Sequence, residues 1–573
     1  MTRRLLPFAF MGMAMFLAGC ATTTPSIKPA VSRPRPQAPM STANKDSLLY
    51  HVLVGDIAGQ QGRLGEAARA FGKAAQESGD QGLARRSALL SLYARRYAQA
   101  RRLTRLWLNA DPQSASGLEA LGDADLGLGK LAQSEQEFEQ ALAFVTAHEG
   151  PGGRAFAFEH IATLLLRHRP SPQVLAAMQT LSQHYPKDPV GDYAFADLAR
   201  QYTHAHQALR AIERALALKP HWEDAAVLKA RILWTRSPRA ALRFSRQFLQ
   251  ANPDATRLRL DYARRLVSLR YWRRALAQFQ VISEAAPNDP QVLYAAGLLA
   301  LRTHKPLMAR KYLKRSLVLA PDDTHAKLYL GEIAERDRRF ARARYYYRQV
   351  APPFRFAAQV REALMPLKES QPQVAWQKLS HVRSHTLAQD VTLVLARNQV
   401  LTVLHRYAQA LAILTPVITK TQHKSALLYA RALDEEKLGQ IAAAEGDLEA
   451  LLARHPHDPV ALNALGYTLI NHKQHEKRGF ALVRQALSLN PTNPYILDSL
   501  GWAYYRLHQP KLAAPYLRKA FALSHDATIA AHLGTVLWAL GQQTAARRLW
   551  HAALVKAPHN ATLKADLAKH SSP

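Results

Sequence analysis

A single cysteine, Cys20, is all that the 573 residues contain. That excludes a disulfide-braced scaffold, an iron–sulfur cluster and any zinc site built on several thiolates. Negative charge is scarce as well: 43 Asp and Glu stand against 76 Lys and Arg, so the formal charge is +33. Motifs for chemistry are missing. Gly129-Lys130 has Ala124 where a phosphate-cradling loop needs its first glycine, and His148-Glu149 runs into Gly150 and Pro151 instead of a metal-binding helix. Neither Gly-x-Ser-x-Gly nor Ser-x-x-Lys occurs. The 24 histidines include His204-x-His206 and His455-x-His457, which lack a local carboxylate or cysteine set and are expected at the surface. Adjacent acids such as Glu435-Glu436 are expected on a solvated face. No catalytic residue, metal site or cofactor is expected, whereas an apolar fraction of 48% requires a folded body.

What is present begins with an address. Arg3 and Arg4 precede an apolar run from Leu5 to Ala18, then Gly19 and Cys20, the order of an export signal. Fourteen apolar residues rise about 21 Å as a helix, short of the roughly 30 Å hydrocarbon core, so cleavage is favoured over a permanent span. Leu17-Ala18-Gly19-Cys20 resembles the bacterial lipobox, in which the cysteine thiol takes a diacylglycerol. Ala21, where an aspartate would retain the protein at the inner membrane, implies an outer-membrane lipoprotein with its body in the periplasm. Residues 1–19 are thus read as a signal peptide and 20–46, rich in Pro, Ser and Thr, as the lipidated cysteine and a flexible tether.

The remainder is one unit written many times. Gly55, Gly122, Gly297, Gly331, Gly466, Gly501 and Gly534, with Ala88, Ala162, Ala196, Ala230, Ala263, Ala363, Ala396 and Ala430 in equivalent places, recur at a modal step of 34. Pro112, Pro186, Pro220, Pro253, Pro287, Pro321, Pro456 and Pro491 each stand ten residues before the next small position. Alanine recurs twelve residues after it, as at Ala67, Ala275 and Ala513. This pattern resembles the tetratricopeptide repeat, whose small residues let two antiparallel helices approach and whose proline ends the second helix. The expected fold is all-α, a superhelical solenoid of about fifteen helix pairs from residue 47 to 558, closed by a polar helix near Asn560 to Lys569. Segments 47–350 and 459–573 fit the pattern well, and 351–458 is more divergent. A six-residue insertion at His148 to Gly153 reads as a flexible loop.

In repeats of this kind the inner face comes from positions 2, 5, 9 and 12 of the first helix. At the carboxyl end these are Asn463, Tyr467, Tyr495, Asp498, Trp502, Tyr505, Thr535 and Trp538, an aromatic and polar groove of the composition that favours protein hot spots. The alternative for Trp502 and Trp538 is packing between neighbouring repeats. Farther back, residues 257–348 hold 20 Lys or Arg and 8 Asp or Glu. Arg257, Arg264, Arg273, Arg274, Arg338 and Arg339 form a candidate basic patch for an acidic partner, anionic lipid or anionic glycan; nucleic acid is not expected for an exported protein.

The segments ALNALGYTLI (461–470), ILDSLGWAYYRLHQPKLAAPYLRKAFAL (496–523) and AAHLGTVLWALGQQTAARRLWHAAL (530–554) resemble the long tetratricopeptide lipoproteins of proteobacterial outer membranes. That family includes the lipoprotein partner of the periplasmic carboxyl-terminal processing protease. The resemblance implies a non-enzymatic scaffold that docks and activates such a protease and presents substrates such as peptidoglycan hydrolases. Tetratricopeptide lipoproteins also serve envelope assembly, in exopolysaccharide export or in pilus and secretin assembly, and that remains the alternative.

Overall fold

The computed structural model describes residues 42–422, 424–472, 475–558 and 560–570, and among them there are thirty helices and no strand. Cys20, the signal peptide and the tether up to residue 41 lie outside the described residues. Helices alternate as first and second members of a pair, from Thr42–Gln60 with Leu64–Ser78 to Ala527–Ala539 with Gln543–Lys556, and Ala561–Lys569 follows alone. Leu131–Leu165 counts as two helices, because Gly150 breaks it with φ 67° and ψ −159°. With that break the described chain contains fifteen pairs and a closing helix, the expected all-α repeat fold.

Two expectations need correction. The insertion His148 to Gly153 is not a loop: helix runs up to Gly150, one left-handed residue turns the chain, and Pro151 starts the next helix without needing an amide partner. The first helix begins at Thr42, inside the segment assigned to the tether.

Internal contacts divide the chain between Tyr312 and Leu313, a boundary that coincides with neither 350 nor 458. In the unit before it, the largest core runs from Leu126 to Ile232 and centres on Phe138, Phe158, Leu165, Met178, Leu181 and Ile212. In the unit after it, the core is a chain of smaller clusters, each joining one pair to the next, such as Leu462, Val483, Ile496 and Leu500. This is the pattern of a stacked array, in which each pair buries its apolar face only on its neighbours.

The local chemistry explains the boundaries. Many first helices open on a side-chain acceptor followed by proline: Asp289 accepts from the amides of Gln291 and Val292 while Pro290 takes the first helical position, and Asp458-Pro459 and Asn493-Pro494 repeat the device. The small residues set the approach of the two helices in a pair. A Cβ on Gly331 would lie 2.4 Å from Tyr347, and one on Gly534 only 2.0 Å from Trp550 Nε1. The glycine is therefore the space into which the large ring of the second helix fits. Within each unit, first helices also touch the first helix of the next pair, as Pro459–Asn471 touches Pro494–Arg506 and that helix touches Ala527–Ala539. Side chains one repeat apart thus share a face.

Candidate protein-binding face

On the three first helices Pro459–Asn471, Pro494–Arg506 and Ala527–Ala539, side chains separated by whole repeats meet. Asp498 is 7% exposed and accepts from His532 Nδ1 at 3.0 Å and 3.1 Å. Nδ1 faces both carboxylate oxygens and is the ring nitrogen that donates to Asp498. The His532 ring stacks on Trp502, with centroids 4.1 Å apart and planes at 20°, and Trp502 in turn lies 5.1 Å from Tyr505. Tyr467 approaches the other edge of His532 at 6.4 Å. Burial, with Asp498 and Glu436 nearby, pushes the Tyr467 phenol well above its ordinary range, so it stays a neutral hydroxyl at any physiological pH.

Two polar atoms of this face have no hydrogen-bond partner: Asn463 Oδ1 is a buried acceptor and Trp502 Nε1 a buried donor. A buried polar atom left unpaired costs about 1–3 kcal/mol, and both atoms are closed off from the surface, so that cost lies within the packing of the face itself.

The remaining groove positions separate. Tyr495 is 43% exposed and stands at the rim. Thr535 donates to the carbonyl of Ala531 in its own helix, 3.0 Å. Trp538 stacks against Trp550 at 6.0 Å and lies 4.3 Å from His570, so it belongs to the packing that closes the array. Packing thus accounts for Trp538, while the half-buried Trp502 ring stands among Tyr505 and His532 on the face. Missed from the sequence was His532, which falls outside positions 2, 5, 9 and 12. Its spacing of one whole repeat from Asp498 is the signal that points to it.

The basic candidates are divided between the two units. Arg257 is exposed and pairs with Asp224, and Arg274 donates to the Tyr262 hydroxyl at 2.8 Å. Arg264 and Arg273 are exposed on neighbouring helices. Arg338 and Arg339 lie in the other unit, at the turn before Phe340–Arg348, where Arg338 has φ 57°. Four of the six arginines thus belong to one unit and two to the other.

Acidic side chains are not all solvated either. Glu435 and Glu436, expected on a solvated face, are 7% and 9% exposed, the first 3.6 Å from Arg431 and the second 3.5 Å from His472. Glu335 is likewise buried: it accepts from the Tyr347 hydroxyl at 2.6 Å and Lys368 Nζ at 2.5 Å, with Arg361 at 3.4 Å. In the first unit Glu119 meets His160 and Asp123 meets His168, again one repeat apart. These carboxylates serve as ion-pair and hydrogen-bond partners between packed helices.

Residues 294–358 and 429–494 match the tetratricopeptide repeat family. The chain is 28% identical over 535 residues to a TPR repeat-containing protein of Pseudomonas aeruginosa, covering 92% of this chain and 90% of that one. Among solved structures, a thermophilic TPR protein of Thermus thermophilus is 23% identical, with 31% of this chain and 96% of that chain covered and a TM-score of 0.29. A tetratricopeptide repeat protein of Parabacteroides merdae is 14% identical, covers 49% of this chain and 99% of that one, and has a TM-score of 0.33. Two segments of the chain thus match the tetratricopeptide repeat, and the described residues fold as the paired helices of that repeat.

Proposed function

We propose that the chain is a non-enzymatic scaffold, held to the outer membrane by lipid on Cys20, whose first-helix face around Tyr467, Trp502, Tyr505 and His532 docks a periplasmic carboxyl-terminal processing protease and presents its substrates, peptidoglycan hydrolases. The observation that carries the docking is the cluster of Tyr467, Trp502, Tyr505 and His532 rings on a face where three repeats converge. Tetratricopeptide repeats bind proteins through such faces. The lipobox-like Leu17-Ala18-Gly19-Cys20 supports the anchor, and the resemblance of residues 459–558 to envelope lipoproteins supports the choice of partner.

Co-purification from periplasm with the body from residue 21 onward tests this reading. A processing protease is expected in the eluate, and its proteolysis of a hydrolase substrate is expected to speed up on addition of the scaffold. An eluate without such a protease, together with unchanged proteolysis, removes the protease role. Replacement of Cys20 by Ala is expected to release the protein from the outer-membrane fraction.

A second reading, a scaffold for envelope assembly, is favoured by one observation: Arg264 and Arg273 stand exposed on adjacent helices of a stretch with few acids. Binding to an anionic polysaccharide that disappears on charge reversal of Arg257, Arg264 and Arg273 supports it, and absence of binding at low salt removes it.

A further inference from the structure

Two neighbouring second-helix segments of the unit after Tyr312 contain no carboxylate: residues 313–319 read LKRSLVL and residues 340–348 read FARARYYYR. Their inward residues behave as the repeat requires, with Leu313, Ala343 and Tyr347 buried. Their outward residues do not follow the polar pattern of an outer surface. Val318 is 78% exposed and Tyr345 62% exposed, and between the two helices lies an open concavity of about 510 Å³. Leu317, Val318 and Tyr345 supply its apolar wall, buried Tyr346 its floor, and Lys314 and Arg342 its cationic sides.

The neighbouring charges leave this recess positive. Glu335 is turned to Tyr347, Lys368 and Arg361, Glu362 takes Arg348 at 2.9 Å, and Glu369 takes Arg344 at 2.8 Å. Arg338 and Arg339 add two more exposed cations at the turn that opens the second of the helices. Single exposed apolar residues are ordinary on a protein surface, but apolar walls in a recess of ligand size with arginine and tyrosine at its edge are the composition of an anchor pocket.

We infer that this recess is a second docking site, on the second-helix side of the array, for an acidic segment of a protein partner that carries a bulky apolar side chain between carboxylates. The apolar side chain fills the recess against Leu317, Val318 and Tyr345, and the flanking carboxylates meet Arg342 and the exposed Arg338 and Arg339 at the turn. A flat lipid surface fits less well, because it touches what protrudes whereas Tyr346 and Leu317 are recessed. The site is independent of the first-helix face around Trp502, so each is tested without the other.

The probe is a fluorescein-labelled peptide with a central tryptophan–leucine pair flanked by aspartates, titrated with the full-length protein at physiological salt and read by anisotropy. Saturable binding is expected, weakened about tenfold by Arg342→Glu and by Val318→Asp, both exposed positions where folding is unaffected, and unchanged by Trp502→Ala. A peptide with asparagine flanks and one with an alanine centre are each expected to lose most of the affinity. Circular dichroism of the variants confirms that the helices remain. No binding, equal binding of the alanine-centred peptide, or loss of binding on Trp502→Ala with Arg342→Glu silent overturns the inference. So does binding of the protein to phosphatidylglycerol vesicles that depends on Arg342 while the acidic peptide fails to compete.

Discussion

His532 reaches back one full repeat to the carboxylate of Asp498, Nδ1 to Oδ1 3.0 Å, and the hydrogen bond fixes the imidazole flat against Trp502. Both partners are almost fully buried, so the bond replaces water for each of them. Removing one partner leaves the other unsatisfied. Asp498→Ala is expected to cost about 1–3 kcal/mol of stability in the last repeats and to weaken the docked partner, since the His532 ring stacked on Trp502 is no longer held in place. Tryptophan fluorescence and partner affinity measured on the same variant check this; an unaltered spectrum with unaltered affinity contradicts it.

The glycine opposite Trp550 leaves no room for a methyl group. Trp550 is fully buried, and its Nε1 donates to the carbonyl of Ala531 at 3.3 Å. Gly534→Ala is expected to destabilise the closing repeats by about 1–3 kcal/mol through overpacking, and Trp550→Leu in the same chain is expected to recover part of that. Denaturant melts of the single and double variants measure the recovery.

A buried carboxyl pair ties the first unit to pH. Burial and the neighbouring Asp125 carboxylate push the Glu137 carboxyl up to about 8, while Asp125 itself is paired with Arg101 at 2.5 Å. The folded state therefore binds a proton that the unfolded chain releases near pH 4 to 5. Stability from this pair falls as pH rises from that range to about 8 and is level above it. Glu137→Gln, which keeps a donor toward Asp125 without titrating, is expected to flatten the slope. At pH 9 it is expected to be more stable than the parent by on the order of 1 kcal/mol, reduced because the site is only partly buried. Hydrogen exchange in residues 131–149 at pH 5 and pH 9 checks the sign.

Arginine to glycine is expected to have opposite effects at two nearby places. Arg270 has φ 60° in the turn after Thr256–Ser268, a conformation glycine adopts without cost, and its replacement is expected to be stabilising by up to about 1 kcal/mol. Arg264 lies within that helix, where glycine is expected to cost about 1 kcal/mol. Thermal melts of the two variants side by side test the difference in sign.

The repeat was legible because it rests on local rules. A small residue every 34 positions, alanine twelve residues on and a proline before the next unit are each demanded by one helix pair, and the pair recurs fifteen times. The helix starts carried a plainer signal in Asp289-Pro290, Asp458-Pro459 and Asn493-Pro494, where the acceptor and the proline together leave little choice of boundary. The insertion misled because Gly150, Pro151, Gly152 and Gly153 look like a loop by composition. A single positive-φ glycine followed by a proline at a helix start uses the same residues to join two helices.

The face itself was only partly legible. Position rules brought out Tyr467, Asp498 and Trp502, but they treat each repeat alone, and His532 matters because of the residue it meets one repeat away. The same holds for the buried acids: Glu435 and Glu335 look like solvated helix charges until a neighbouring element supplies the arginine or lysine that satisfies them. The sequence by itself determined the helices, their number and the small residues at each crossing, because these depend on contacts within about 34 residues and on backbone sterics. Tertiary structure decided which side chains stand together across repeats and that an apolar recess opens between two second helices. Those outcomes depend on the offset and tilt at which one pair stacks on the next, a quantity set by the sum of many packing contacts and written at no single position in the chain.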